Sequence, residues 1–383
     1  MKCKLSDICD FRKGKVEVEN LNAKNYVSTE NMLPNKCGIT EASSLPTVSL
    51  TQEYNSGDVL VSNIRPYFKK IWQAEYDGGC SNDVLVFVPK PNTDKDFLYY
   101  VLADDDFFTY SMATSKGTKM PRGDKTSIMQ YEVPLIDLQV QKKIASVLKA
   151  LDERIKLNNE INNNLAEQSQ AIFAEFMCKY PYVLSPLGDM AEIIDCLHSK
   201  KPKAVNGTTY QLLQLNNITD SGFLDLSSKY YISKSDYENW TRKCEIVEGD
   251  CVITNVGRIG AVSQAPNGTH AAMGRNMTCI RLRNDKPFYS YLITALLSPH
   301  IRREIMKNTD EGTIMGALNV KNIPLLLFPM FALPTMNALE DLLSPIRKAI
   351  EQNYLSNQML SLLRDSLLPR LMSGELDVSN IEI

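Results

Sequence analysis

No stretch of this 383-residue chain is apolar for long enough to cross a bilayer, and Met1-Lys2-Cys3-Lys4-Leu5-Ser6-Asp7 lacks the apolar core of a signal peptide. That predicts a cytoplasmic protein. None of the nine cysteines stands in a C-x-x-C pair, and Cys3/Cys9 or Cys244/Cys251 are too far apart for a usual zinc knuckle. All nine are expected to be reduced thiols, mostly buried, with no metal. There are only three histidines, His198, His270 and His300, too scattered to form a catalytic or ligand constellation. The chain has no G-x-x-x-x-G-K-[ST] loop for a nucleotide, and Gly257-Arg258-Ile259-Gly260 is too short for a dinucleotide fingerprint. Hydrophobic residues at 44% and charged ones at 23% exclude disorder and fibres. The net charge of −3 weighs against nucleic acid, but a global sum says nothing of local basic patches.

What is present is a long-period repeat. Gly117-Thr118-Lys119-Met120 returns as Gly312-Thr313-Ile314-Met315, Val133-Pro134 as Phe328-Pro329, and Leu138 as Leu333. Gly57-Asp58-Val59-Leu60-Val61-Ser62 returns as Gly249-Asp250-Cys251-Val252-Ile253-Thr254 at a slightly smaller offset. Such a period means a duplicated domain, not a solenoid. The first part of each repeat reads as mixed α/β. Strands are expected at Val59–Ile64, Val84–Val88, Cys251–Val256 and Met277–Leu282, and helices at Phe97–Met112 and Tyr289–Met306.

The second part of each repeat is different. From Leu138 to about Cys178 there is no Gly or Pro, and apolar residues recur in steps of four and three at Ile144, Leu148, Leu151, Ile155, Leu165, Ile172 and Phe176. The second seam is Leu339, Leu343, Ile346, Ile350, Leu360, Leu367 and Leu371. This spacing predicts two long helices in a coiled coil, with a break near Pro345 in the second. Asn158 and Asn162 interrupt the middle of the first seam, and Asn353 and Asn357 the middle of the second. If the helices run antiparallel, Asn158 faces Asn357 and Asn162 faces Asn353, as expected of buried asparagines that set register. The expected fold class is α+β, with two mixed α/β recognition domains separated by two long antiparallel helices and related by an internal pseudo-twofold. The segments are 1–133 (domain 1), 134–180 (helix 1), 181–328 (domain 2) and 329–383 (helix 2 and tail).

The helices carry a family resemblance. Val133-Pro134-Leu135-Ile136-Asp137-Leu138-Gln139-Val140-Gln141-Lys142-Lys143-Ile144-Ala145, followed by Leu151-Asp152-Glu153-Arg154-Ile155, resembles the first conserved region of type I restriction–modification specificity subunits. Leu362-Leu363-Arg364-Asp365-Ser366-Leu367-Leu368-Pro369-Arg370-Leu371-Met372-Ser373-Gly374-Glu375-Leu376 resembles the family's C-terminal signature, and the Gly-Asp-hydrophobic motif one within its recognition domains. One departure is Met336 where the first block has Gln141. The resemblance implies a non-catalytic reader of double-stranded DNA, each domain recognising half of a split target across a spacer set by the helices. A 40-residue helix spans roughly 60 Å, enough to hold modules about one DNA turn, roughly 35 Å, apart. It further implies two methyltransferase subunits on the helices and restriction/translocase subunits recruited through them, with no membrane. No cofactor is expected in this chain; the methyl donor and ATP/Mg would belong to those partners.

Candidate DNA contacts are Lys and Arg clusters, which supply phosphate contacts and, with Asn and Gln, read base edges. In the first domain these are Arg65, Lys69 and Lys70 after a strand, and Lys116, Lys119, Arg122 and Lys125 in the Gly-containing loop 115–125. In the second they are Lys200, Lys201 and Lys203 in one loop, with Arg258, Arg275, Lys307 and Lys321. Loop 115–125 ranks first, because its counterpart 310–321 keeps the Gly-Thr but not the charge. Other readings remain open: an orphan or recombined specificity subunit, a coiled-coil scaffold without DNA binding, and a self-contained methyltransferase. The last lacks the Asn/Asp-Pro-Pro-aromatic signature.

Overall fold

The computed structural model describes residues 2–117, 119–283, 287–310 and 316–378. They form two compact units, Met1–Ile155 with Met359–Ile383, and Lys156–Gln358. This division does not coincide with the four expected segments, because each long helix gives one part to each unit.

In the first unit a four-stranded antiparallel sheet is built from β1 (Cys9–Phe11), β2 (Val59–Ser62), β3 (Ile71–Gln73) and β4 (Val84–Pro89), in the order β1-β4-β2-β3. Every residue of β2 is buried. Val59 and Val61 pack with Phe97, Leu98 and Phe107 on one side, while Leu60 packs with Val27, Tyr54 and Cys80 on the other. Burial on both faces accounts for the unbroken apolar run. The helix expected at 97–112 is two helices, α1 (Lys95–Ala103) and α2 (Asp105–Ala113). Asp104 separates them in an extended conformation, its carboxylate accepting from Asp106 N at 3.0 Å as an N-cap.

The first long helix, α3 (Leu138–Lys179), runs unbroken over the expected span. Within the first unit its seam residues Ile144 and Leu148 share a core with Leu368 and Leu371. Arg364 Nη1 donates to Asp152 Oδ1 at 2.6 Å, and the Tyr100 hydroxyl donates to Asp152 Oδ2 at 2.7 Å, which ties both helices to α1.

The second unit has the same strand order. Its sheet is β5 (Ala191–Asp195), β6 (Cys251–Thr254), β7 (Val262–Gln264) and β8 (Met277–Leu282), arranged β5-β8-β6-β7. The expected helix 289–306 is again split, into α4 (Tyr289–Leu296) and α5 (Pro299–Lys307). Ser298 caps α5 and Pro299 occupies its first turn, where a missing N–H costs nothing. The second long helix, α6 (Leu333–Met372), shows no break at Pro345, contrary to the expectation. Pro345 and Asp341, whose carbonyl loses its partner, are both exposed, so water can satisfy that carbonyl. On the other side of α6, Leu339 and Leu343 remain buried with Phe173 and Phe328 and hold the helix in place.

The asparagines meet within this unit. Asn158 Nδ2 donates to Asn357 Oδ1 at 2.8 Å, and Asn353 Nδ2 donates to Asn162 Oδ1 at 2.9 Å, so the helices run antiparallel here. Asn357 Nδ2 also donates to Asn159 Oδ1 at 2.8 Å. Asn158 is 1% exposed and its Oδ1 has no partner among the described residues. A buried amide left half-paired is costly, whereas replacing both partners by apolar groups can be neutral or stabilising. Asn357→Leu alone is expected to destabilise by about 1–3 kcal/mol, by orphaning Asn158 Nδ2. Asn158→Leu with Asn357→Leu should instead raise the melting temperature while loosening register. Thermal unfolding of both variants checks this, and a double variant melting several degrees below the parent would count against it.

Candidate nucleic-acid interface

The Gly-Asp motif is structural in both units. Gly57 and Gly249 take φ of +92° and +84°, which a side chain resists, and turn the chain into β2 and β6. The following aspartate is buried. Asp58 accepts from Arg12 Nε at 2.5 Å, Arg12 Nη2 at 2.9 Å and Asn55 N at 2.8 Å. Asp250 accepts from Arg281 Nε at 2.8 Å, Arg281 Nη2 at 2.5 Å and Val247 N at 2.9 Å. The arginine follows β1 in one repeat and lies within β8 in the other, so sequence alignment conceals the shared pair.

Each motif aims its strand at a loop that carries cations. In the first unit the two sequence-predicted clusters come together. Arg65 N donates to Pro121 O at 2.9 Å and Gly123 N to Asn63 O at 3.2 Å, while Lys116 and Arg122 pair across the folded-back loop. Several of these cations are already engaged. Lys69 bonds Asp105 at 2.8 Å, Lys116 bonds Asp124 at 2.6 Å and Arg122 lies 3.1 Å from Asp83. Lys70 donates to Thr29 O at 2.6 Å, and burial lowers its pKa. Lys125 lies over the Phe11 ring, and Lys119 is exposed with no ion pair among the described residues. Arg65 is partly buried, and its Nε has no partner there. Thr118 and Gly312-Thr313 lie outside the described residues.

In the second unit Asn255 stands where Asn63 stands in the first. Its N donates to Asn276 O at 2.9 Å, and its O accepts from Leu318 N at 2.9 Å. These ties bring exposed Arg275 beside the end of β6. The amides of Asn276 and Met277 donate to Cys196 at the foot of the 199–203 loop. In that loop Lys201 sits 3.8 Å from the centre of the Tyr230 ring, and Lys200 and Lys203 are exposed. Arg258 is held by Ile218 O and the Asp220 carboxylate, and Lys307 by Glu304 at 2.7 Å. Lys321 is exposed within the turn Val320–Leu325, and its neighbour Asn322 donates to Asn308 O at 3.2 Å.

Some residues had no sequence signal. Arg347 of α6 donates from Nε to Gln264 Oε1 at 2.9 Å, and its guanidinium stacks 3.4 Å from the centre of the Phe223 ring. Tyr354, two turns on, also stacks on Phe223, with ring centres 5.6 Å apart, and donates to Leu224 O at 2.7 Å. Both fall between seam positions, where only the fold supplies a partner. None of the nine cysteines is in a disulfide, and six are buried. His198 bonds Asp195 at 2.8 Å and His270 lies 3.3 Å from Glu245, while His300 Nε2 is buried without a partner among the described residues. Two groups, Asp195–Cys196–His198 and Cys244–Asp250–Cys279, bring donor atoms within 4.8 Å of one another. In the second, Asp250 is already committed to Arg281. Among the described residues no helix is long and apolar enough to cross a membrane.

Lys36 was also missed. Its Nζ lies 2.8 Å from Asp105 Oδ1 while Lys69 takes Oδ2, so one carboxylate at the start of α2 holds two loops. Burial pushes the Asp105 pKa up, but the two lysine hydrogen bonds outweigh it, and the carboxyl titrates below its ordinary value. A lowered carboxylate stabilises the fold above the ordinary aspartate pKa of about 3.9, and that contribution fades as pH falls through the lowered value. Deuterium exchange of residues 35–37 and 65–70, corrected for intrinsic rate, should show the bridge intact at about pH 5. Asp105→Asn should expose the same peptides at that pH; equal protection in both proteins would discount the bridge.

Comparison with known proteins agrees with this geometry. Residues 1–167 match the family described as type I restriction modification DNA specificity domain. The HindI specificity subunit of Haemophilus influenzae is 26% identical over 164 residues, 40% of this chain and 36% of that one. The EcoDI specificity subunit of Escherichia coli is 26% identical over 37% of this chain. These matches span about a third of the relatives' length, 36% and 33%. The MjaIX specificity subunit of Methanocaldococcus jannaschii is 20% identical over 77% of this chain and 72% of its own. The crystal structure of the type I restriction–modification S subunit from M. genitalium has the same fold, with a TM-score of 0.54 at 14% identity over 97% of this chain and 96% of that one. The chain is thus similar to type I restriction–modification specificity subunits, and its residues 1–167 match their DNA specificity domain.

Proposed function

We propose that the chain is the DNA sequence-recognition subunit of a type I restriction–modification complex. Each unit reads one half of a bipartite double-stranded target, and the long helices set the unread spacer and dock two methyltransferase subunits. One observation carries this reading. Two sheets of identical strand order present different cation chemistry at the same strand exit, Asn63-Ile64-Arg65 in one unit and Asn255-Val256-Gly257-Arg258 in the other. A duplicated scaffold with unlike tips suits two unlike half-sites. Exposed Met359, Leu362 and Leu363 on α6 offer apolar area to a partner helix. In this reading the chain forms and breaks no bonds itself; methyl transfer and ATP-driven work belong to the partners, as does restriction through the translocase subunits.

The internal ion pairs decide which substitutions test it. Lys116→Glu with Lys119→Glu should weaken DNA binding and flatten its salt dependence, but Lys116 also holds Asp124. Lys119→Glu alone in one unit, and Lys200→Glu with Lys203→Glu in the other, disturb no ion pair among the described residues. Each lysine withdrawn from a phosphate should lower the slope of log affinity against log salt by about 0.9. Titration of a duplex at several salt concentrations reads this out. Unchanged affinity and slope at low salt in both variants would remove these loops from the interface.

A further inference from the structure

Resting on that reading of the chain as a DNA reader, we propose that Tyr67 and Phe68 form an aromatic wedge that the first unit sets against a base step of its half-site, making them specificity-determining residues.

Five described non-glycine residues have positive φ, and four of them are gathered here: Asn35 (57°), Lys36 (62°), Arg65 (52°) and Lys69 (50°). Two hydrogen bonds join them into one body, Asn35 N to Phe68 O at 2.8 Å and Lys36 N to Lys69 O at 2.9 Å. Asp105 clamps both lysines, and the Pro121 carbonyl holds Arg65 from the basic loop. Left-handed backbone at such residues persists only where its surroundings over-determine it, and it gathers at binding sites.

What this tie holds rigid is a single turn, Pro66–Phe68. Pro66 is buried beneath it, while Tyr67 is 50% and Phe68 37% exposed. The two rings lie 4.6 Å apart and tilted by 52°, facing away from the core. Folding favours burying such rings, so a strained turn that keeps two of them in solvent calls for a partner. The surroundings indicate its charge. Lys70 Nζ lies 5.8 Å from the centre of the Phe68 ring, while the neighbouring Lys36 and Lys69 share the Asp105 carboxylate. Arg65 beneath them has a buried Nε with no partner among the described residues. Flat apolar side chains beside Lys70 and Arg65 match stacked bases between phosphates, and apolar wedges placed at a base step read its ease of unstacking.

The second unit provides an internal control. At the same strand exit it has Asn255-Val256-Gly257-Arg258-Ile259-Gly260, with no aromatic residue. Gly257 takes φ +78° where Arg65 has to be held at +52°. The wedge therefore belongs to one half-site only.

The test uses the full-length chain and a randomised duplex library, with bound sequences counted over successive rounds. The parent protein should enrich two half-sites around a fixed spacer. Tyr67→Ala with Phe68→Ala should lose about tenfold of its preference at one or two adjacent steps in one half-site. The other half-site and the spacer should be unchanged, and Tyr67→Phe should keep the full motif. 2-Aminopurine at the affected step should brighten with the parent and not with the double variant. If the double variant unfolds, Tyr67→Ser, at a half-exposed position, takes its place. Enrichment of both intact half-sites by a folded variant would overturn the wedge while leaving the DNA-reading function standing, even if that variant bound a methyltransferase subunit less well. Enrichment of no sequence by the parent would overturn the DNA-reading function itself.

Discussion

The hydrogen bond from Asn158 to Asn357, with its companion between Asn353 and Asn162, decides which turn of one long helix lies beside which turn of the other. An apolar heptad seam alone tolerates slippage, because a shift of seven residues, about 10 Å, places leucine against leucine again. Such a slip would bury amides against leucine side chains, where they would have no partners. The helices also carry anchoring groups away from the seam. Arg364 must reach Asp152 in the first unit, and Arg347 and Tyr354 must reach Gln264, Phe223 and Leu224 in the second.

A second constraint is how the chain distributes charge. Its net charge is −3, yet the cations gather at loop tips while many acids act inside the fold. Asp58 and Asp250 lock strand entries, Asp104 and Asp124 cap helices, and Glu340 caps α4 through Ser290 N and Tyr291 N. Acids used in this way lie buried or turned inward, so the outward field over a loop such as 199–203 is more basic than the overall sum suggests. Some cations are committed too. Lys69, Lys116, Arg122, Arg258 and Lys307 hold acidic partners, which leaves Lys119, Lys125, Lys200, Lys201, Lys203, Arg275 and Lys321 exposed without such a pair among the described residues.

Periodicity made much of the scaffold legible. The span of α3, the seam residues and the facing of the asparagines follow from spacing, since a helix brings residues three and four apart onto one stripe whatever surrounds it. The strand Met277–Leu282 was legible for a similar reason, being a short β-branched run buried on both faces. The helix pairs were less so, because at Asp104 and Ser298 local capping overrides an otherwise helical pattern. At Pro345 the local rule pointed the wrong way, because α6 runs on unbroken through it while Leu339 and Leu343 stay buried.

The site divides along the same line. Composition and spacing identified which loops are basic, and the repeat identified that there are two of them built alike. Only the folded chain decided that the loop near Arg65 and the loop near Arg122 form one surface, and that Lys36, far away in sequence, belongs to it. It alone exposed Tyr67 and Phe68 on a strained turn. Periodic structure arises from interactions between near neighbours and can be read along the chain. A surface assembled from residues 35, 67, 105 and 121 depends on contacts across 86 positions, and no local pattern encodes those.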